Sequence, residues 1–440
     1  MKYYSTNGKA PIADLHKAVV KGLAEDRGLY MPEKINKLPK EFFDNIEKMS
    51  FQEIAYTVAS AFFGEDVDPD ALHDIVYDTL QFDCPVVNVK DNIYTLELFH
   101  GPTLAFKDVG ARFMARLLQY FIKQENNHKE VNVLVATSGD TGSAVANGFL
   151  GVDGIHVYVL YPKGKVSPIQ ECQFTTLGKN ITAIEVDGVF DDCQALVKNA
   201  FMDAELNEHM KLTSANSINV ARFLPQAFYY FNAYARMKEI ANTQHLSPNT
   251  QLVMCVPSGN FGNICAALFG HEMGLPIKRF IAANNANDIF YNYLQTGKYE
   301  PKPSKQTLAN AMDVGDPSNF ARIYDLYGKS HAKITSLISG ATYSDEQIKA
   351  TMRECYKDSG YILDPHGACG YQALKDGLQA GEVGVFCETA HPAKFKEKVD
   401  DILGIDVEIP ERLAAFMRGQ KQSVPMSKDF ADFKAYLMSK

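Results

Sequence analysis

Over roughly the first 95 residues the apolar positions fall at helical spacing in short runs. In PIADLHKAVVKGLAED (residues 11–26) and SFQEIAYTVASAFFG (50–64) apolar residues return every three or four positions, and each run ends near Gly or Asp. That pattern predicts short helices. Beyond that point the text changes to uninterrupted apolar runs: VNVLVA (131–136), HVYVLYP (156–162), ITAIEV (181–186), QLVMCVP (251–257), RFIAAN (279–284) and VGVFCE (383–388). Such runs, separated by helical stretches, predict parallel strands buried on both faces and hence an α/β fold.

Two of these strands lead into a glycine-bearing loop and then a small-residue helix, in VLVATSGDTGSAVANGF and LVMCVPSGNFGNICAALFG. In open α/β sheets ligands lie beyond the carboxyl ends of strands, where helix N-termini offer unpaired N–H groups, so both loops are candidate anion sites. The loop SGNFGN lacks the Lys-Ser/Thr ending of a nucleotide-binding P-loop and the GxGxxG spacing, which argues against ATP and NAD. Its Ser258, Gly259, Asn260, Gly262 and Asn263 suit a single phosphate, and a plain tight turn reads from the same residues. ATSGDTGSA fits a carboxylate met by N–H and O–H donors, while hydroxyl capping of a helix explains much of the same text.

A third motif is FHGPTLAFKDVGARFMA, residues 99–115. Downstream of Lys107, the series Val109, Phe113, Leu117, Phe121 and the series Met114, Leu118, Ile122 repeat every four positions and mark a broad apolar helix face. A lysine at the start of that helix opposes the helix dipole. Its apolar neighbours also favour the neutral amine, the form that acts as nucleophile or base. A solvated lysine capped by Asp108 is the competing reading.

Composition narrows the function. The chain has 440 residues, 46% hydrophobic and 22% charged, enough for two or three domains. A net charge of −9 offers no basic field for nucleic acid or an anionic membrane surface. The eight cysteines form no CxxC pair and no metal-like grouping with the histidines, so reduced, buried thiols and no metal are expected. No stretch has the length of a membrane span and the N-terminus lacks a leader pattern, which points to the cytoplasm.

Taken in order, GPTLAFKD, ATSGDTG, PSGNFGN and ETAHPAKF resemble the pyridoxal-phosphate enzymes of the tryptophan-synthase β fold type, and within them the threonine synthase family. The opening phrase GLAEDRGLYMP is similar to that of the longer bacterial and fungal members, so the resemblance spans nearly the whole chain. It implies two packed open, mostly parallel sheets with the cofactor between them, plus the helical N-terminal subdomain. The expected divisions are 1–95, 96–250 and 251–440.

The resemblance also assigns residues. It makes Lys107 the Schiff-base lysine for pyridoxal 5'-phosphate and the proton shuttle, with Asp108 structural or a helix-start anion. Gly259, Asn260, Phe261, Gly262 and Asn263 match the loop for the cofactor phosphate, and Thr389 the hydroxyl facing the pyridine nitrogen. Thr137, Ser138, Gly139, Asp140 and Thr141 match the clasp for the substrate carboxylate, although many relatives carry asparagine in place of Asp140. His391 reads as a satisfied histidine at a helix start, and Asp364 in LDPHGACGY as a helix cap. For the substrate phosphate, Asn219 and Arg222 in SANSINVARF are preferred over Lys163 and Lys165 in YPKGKVS, with Arg112 a third place. The implied reaction converts O-phospho-L-homoserine and water to L-threonine and phosphate. A related phospholyase, a serine/threonine dehydratase and a non-catalytic binder of the same fold are the alternatives.

Overall fold

The computed structural model describes residues 1–247 and 249–440. The chain forms two compact units, each assembled from separated segments. One comprises Met1, Pro32–Phe106 and Phe223–Glu408; the other comprises Lys2–Met31, Lys107–Arg222 and Ile409–Lys440.

The first unit carries a six-stranded sheet in the spatial order Ile338–Thr342, Arg279–Asn284, Gln251–Pro257, Glu382–Glu388, Ile93–Glu97, Val86–Lys90. All neighbours are parallel except the last pair. Glu382–Glu388 is buried at every position and Gln251–Pro257 at all but its first, as the unbroken apolar runs require. The helix Pro365–Gly377 packs along both strands. The predicted helix near residue 50 runs over Phe51–Phe63 and opens with a capping box: Ser50 Oγ accepts from the Glu53 N–H at 3.2 Å and Glu53 Oε2 from the Ser50 N–H at 2.7 Å.

The second unit holds a fully parallel five-stranded sheet in the order Val424–Ser427, Ile181–Asp187, Ile155–Pro162, Val131–Ala136, Lys211–Ser214. Leu134, Leu160, Ile184 and Leu196 are among the side chains that fill its core, with Phe433 and Leu437 of the C-terminal helix Phe430–Met438.

All six expected strands are present, each within a residue of its expected ends. The expected divisions are not the ones found. Residues 2–31 group with the second unit and 32–95 with the first, because Ile93–Glu97 hydrogen-bonds to Glu382–Glu388. The C-terminal strand Val424–Ser427 joins Ile181–Asp187 in the same long-range way. The N-terminal stretch is also less helical than expected, since Lys2–Tyr3 pairs antiparallel with Ala13–Asp14. Among the described residues, no helix is long and apolar enough to cross a membrane.

Candidate active site

Lys107 is the first residue of the helix Lys107–Gln124 and is half-buried. The apolar series behind it lies inward, with Val109, Phe113, Met114, Leu117, Leu118 and Phe121 all buried. The segment that delivers the lysine is held against the ETAHPAKF segment. Phe106 donates its N–H to the Thr389 carbonyl at 2.8 Å, His391 donates to the Leu104 carbonyl at 3.0 Å, and Ala105 and Ala390 form an antiparallel bridge. The Phe106 carbonyl also accepts from the Tyr229 hydroxyl. Leu104 adopts a left-handed φ of +59°, a conformation a leucine holds only where its surroundings impose it.

On that segment Thr389 is 7% exposed. His391 caps the 3₁₀ turn Pro392–Phe395, its Nδ1 accepting from the Ala393 N–H at 3.0 Å. Burial, reinforced by nearby His100, lowers its pKa to about 4, so it stays a neutral cap. This is the satisfied helix-start histidine the sequence suggested.

The loop Ser258–Asn263 joins the strand Gln251–Pro257 to the helix Gly262–Glu272. Asn263 braces it from within: Nδ2 donates to the Pro257 carbonyl at 2.8 Å, and Oδ1 accepts from Ser258 Oγ at 2.8 Å and the Ile264 N–H at 2.9 Å. The side chain of Asn263 is therefore occupied in shaping the turn, and its carbonyl accepts from the Tyr230 hydroxyl at 2.9 Å, leaving its N–H for a ligand. Asn284 Nδ2 fixes the Ser258 carbonyl at 3.0 Å, and Phe261 holds the left-handed N-cap position with φ +65°. A Cβ on Gly259 would lie 2.6 Å from the Ala311 carbonyl oxygen, so only glycine fits. Asn260 Oδ1 is buried with no hydrogen-bond partner. The first N–H groups of the eleven-residue helix Gly262–Glu272 have no intrahelical acceptor and carry its positive dipole end.

In the second unit, the loop after Val131–Ala136 leads into the helix Asp140–Phe149. Thr137 Oγ1 accepts from the N–H groups of Gly139 at 2.9 Å and Gly142 at 2.8 Å, so this hydroxyl too is spent on the turn. Ser138 and Thr141 remain half-exposed. Gly139 has φ +146°, and a Cβ there would strike the Gln170 side chain at 2.6 Å. Asp140, 4% exposed, accepts from Gln170 Nε2 at 2.9 Å. Gln170 belongs to the helix Pro168–Thr175 that follows Lys163 and Lys165. Because Val131–Ala136 and Ile155–Pro162 are parallel neighbours, the two loops leave the same edge of the sheet. Lys163 and Lys165 are exposed there, and Arg112 is half-buried on the helix Lys107–Gln124.

Asn219 and Arg222 are placed differently from expectation. Asn219, fully buried, donates to the Val19 and Ser214 carbonyls at 2.9 and 3.1 Å and accepts from the Ala221 N–H at 3.0 Å. Arg222 is 1% exposed; its Nη1 donates to the Ala215 carbonyl, and its backbone packs where a Cβ on Gly110 would sit. Through these contacts both hold the Ser214–Arg222 turn together.

Beside Thr389 lies a buried group that no local sequence motif marks. Asp364 caps the helix Pro365–Gly377 through the Gly367 N–H at 2.7 Å. Its Oδ2 lies 2.5 Å from His366 Nδ1, and its N–H donates to Glu388 Oε1 at 2.9 Å. Burial, together with the Asp364 charge, holds the Glu388 carboxyl well above the usual range. Burial also opposes ionisation of Asp364, but His366 and the hydrogen bonds it receives outweigh that and lower its pKa. The DPH triplet was visible; its link to Glu388, 24 residues on, was not.

The chain is similar to known proteins along its whole length. Residues 82–387 match the family model described as pyridoxal-phosphate dependent enzyme, residues 2–80 that described as threonine synthase N terminus, and residues 367–437 that described as threonine synthase, C-terminal. The chain is 43% identical over 439 residues to threonine synthase of Escherichia coli, covering 100% of both chains. It superposes on the crystal structure of threonine synthase from that organism with a TM-score of 0.92, again with full coverage of both. For the pyridoxal-phosphate-bound threonine synthase of Brucella melitensis the TM-score is 0.90 at 34% identity, covering 100% of this chain and 99% of that one. The chain belongs to the threonine synthase family of pyridoxal-phosphate-dependent enzymes.

Proposed function

We propose that this chain converts O-phospho-L-homoserine and water to L-threonine and phosphate, using pyridoxal 5'-phosphate held on Lys107. The observation that carries the reading is the pairing of Phe106 with Thr389, which fixes the peptide before Lys107 to the segment bearing the hydroxyl.

The residues present fit the cofactor. The tight approach at Gly259 and the open helix N-terminus suit a phosphate. Gly259, Asn260, Phe261, Gly262 and the Asn263 backbone would hold that phosphate, and the Thr389 hydroxyl would face the ring nitrogen. When bound, the cofactor supplies an electron-withdrawing ring that accommodates the charge left by loss of the substrate α proton. Lys107 Nζ would take that proton and later return protons. A neutral hydroxyl at Thr389, in place of a carboxylate, favours elimination and replacement over transamination. Ser138, Thr141 and the N–H groups around Gly139 orient the substrate carboxylate, with Thr137 and Asp140 shaping the loop. For the substrate phosphate, the exposed Lys163 and Lys165 come first, with Arg112 a further cation, once Arg222 is committed to its own turn.

The reading is of an enzyme acting on a small molecule, in the cytoplasm. Product analysis tests it: threonine and phosphate are expected, whereas ammonia and an oxo acid would mark a dehydratase or phospholyase, and no turnover a binder.

A further inference from the structure

The loop Ser258–Asn263 has an outer wall whose position is fixed from behind. Ala311, in the 3₁₀ turn Asn310–Met312, places its carbonyl oxygen 2.6 Å from where a Gly259 Cβ would stand. The Ala311 N–H donates to His366 Nε2 at 3.0 Å. Because Nε2 accepts, the ring proton sits on Nδ1, where Asp364 Oδ2 receives it at 2.5 Å. Asp364 is in turn held by the Gly367 N–H and, through its own N–H, by Glu388. His366 is 2% exposed and Asp364 and Glu388 are fully buried, so this chain of contacts is closed to solvent.

The other end of the wall is pinned separately. Asp313 Oδ1 accepts from Asn285 Nδ2 at 3.0 Å and Thr307 Oγ1 at 2.7 Å, and Oδ2 accepts from the Thr307 N–H at 3.0 Å. Asn285 follows Asn284, the residue that fixes the Ser258 carbonyl. The segment 309–313 is thus tied at Ala311 by His366 and at Asp313 by Asn285 and Thr307, with Gly259 seated against it.

We infer that His366 is a positioning residue for the cofactor-phosphate loop, acting through the Ala311 backbone on the seat of Gly259. The inference rests on the reading that Ser258–Asn263 takes the cofactor phosphate. Asp364 sets the tautomer that lets His366 accept, and Glu388 sets Asp364.

The test compares pyridoxal 5'-phosphate with pyridoxal, which lacks the phosphate, each titrated into apo-enzyme and followed by fluorescence. His366→Phe keeps the ring volume and loses the acceptor; His366→Gln retains an acceptor near the Nε2 position. Loss of one such hydrogen bond is expected to weaken pyridoxal 5'-phosphate binding about threefold to tenfold in the Phe variant. Pyridoxal binding should be unchanged and the Gln variant should recover. Equal weakening of both ligands, full retention of phosphate discrimination in the Phe variant, or no recovery with Gln would overturn the inference. A wild-type protein that binds both ligands equally would instead overturn the reading of the loop. Should His366→Phe fail to fold, His366→Asn, whose amide stops short of Nε2, carries the same contrast with Gln.

Discussion

Phe106 and Thr389 are joined by a backbone hydrogen bond of 2.8 Å across 283 residues of sequence, and the Tyr229 hydroxyl closes on the Phe106 carbonyl from the other side. Both polar groups flanking the Phe106 residue are engaged, so the peptide that precedes Lys107 has a fixed orientation. The lysine's backbone is thereby pre-positioned, leaving only its side chain to move.

Lys107→Ala is accordingly expected to abolish turnover. The wild-type protein should be yellow, and borohydride should bleach the band while fixing the cofactor on Lys107. Peptide mapping of the label checks this, and a label on Lys163 or Lys165 would contradict the assignment.

Gly259→Ala places a methyl group 2.6 Å from a backbone oxygen that is itself held in place. Forced overpacking of this kind costs about 1–3 kcal/mol. Cofactor affinity, measured by equilibrium dialysis, should fall roughly tenfold or more by the same estimate. An unchanged dissociation constant would mean that the loop does not seat the phosphate.

Thr389→Asp should keep the cofactor bound but place a carboxylate where a neutral hydroxyl stands. Protonation of the ring nitrogen would follow, and with it more transamination. The ratio of threonine to oxo acid is the readout, and preserved fidelity would count against the proposed contact.

Lys163→Ala and Arg222→Ala separate a ligand from a scaffold. Removing one charge-assisted contact costs roughly 1.5–3 kcal/mol, so Lys163→Ala should lower kcat/KM for phosphohomoserine about tenfold to a hundredfold at full cofactor content. Arg222→Ala should chiefly lower the urea midpoint, since its guanidinium holds the Ala215 carbonyl inside the fold. The reverse pattern would return the substrate phosphate to Arg222.

His391 gives a pH signature. Its folded pKa, about 4, lies below the usual 6.5, so between those values the unfolded chain binds a proton that the folded chain refuses. Its contribution to stability is complete above pH 6.5 and is lost as pH falls toward 4. The loss is on the order of 3 kcal/mol over that window. His391→Asn keeps an acceptor for the Ala393 N–H and removes the titration, so its stability should fall less steeply in urea titrations at successive pH values. Parallel slopes would show that His391 is not the group responsible.

The strands and the site motifs were legible because each is local: an unbroken apolar run, a glycine-bearing loop, a lysine before an amphipathic helix. What escaped depends on pairing over long distances. Val86–Lys90, Lys211–Ser214, Ile338–Thr342 and Val424–Ser427 are short or partly polar strands whose neighbours alone define them. Arg222 and Asn219 advertise chemistry by residue type, while the carbonyls they bond, at Ala215, Val19 and Ser214, carry no sequence signal. His366 stood in plain view in DPH, but its acceptor role depends on a turn 55 residues upstream.

The interleaved segments have a consequence for biogenesis. The second unit's edge strand Val424–Ser427 is synthesised long after Ile181–Asp187, the strand it pairs with. The sheet of that unit therefore stays incomplete until Val424–Ser427 has been made, and the nascent protein waits with the edge of Ile181–Asp187 unpaired. A chain cut short before residue 424 would keep Lys107 and both glycine loops and still present that open edge, making truncated products candidates for aggregation and for capture by chaperones.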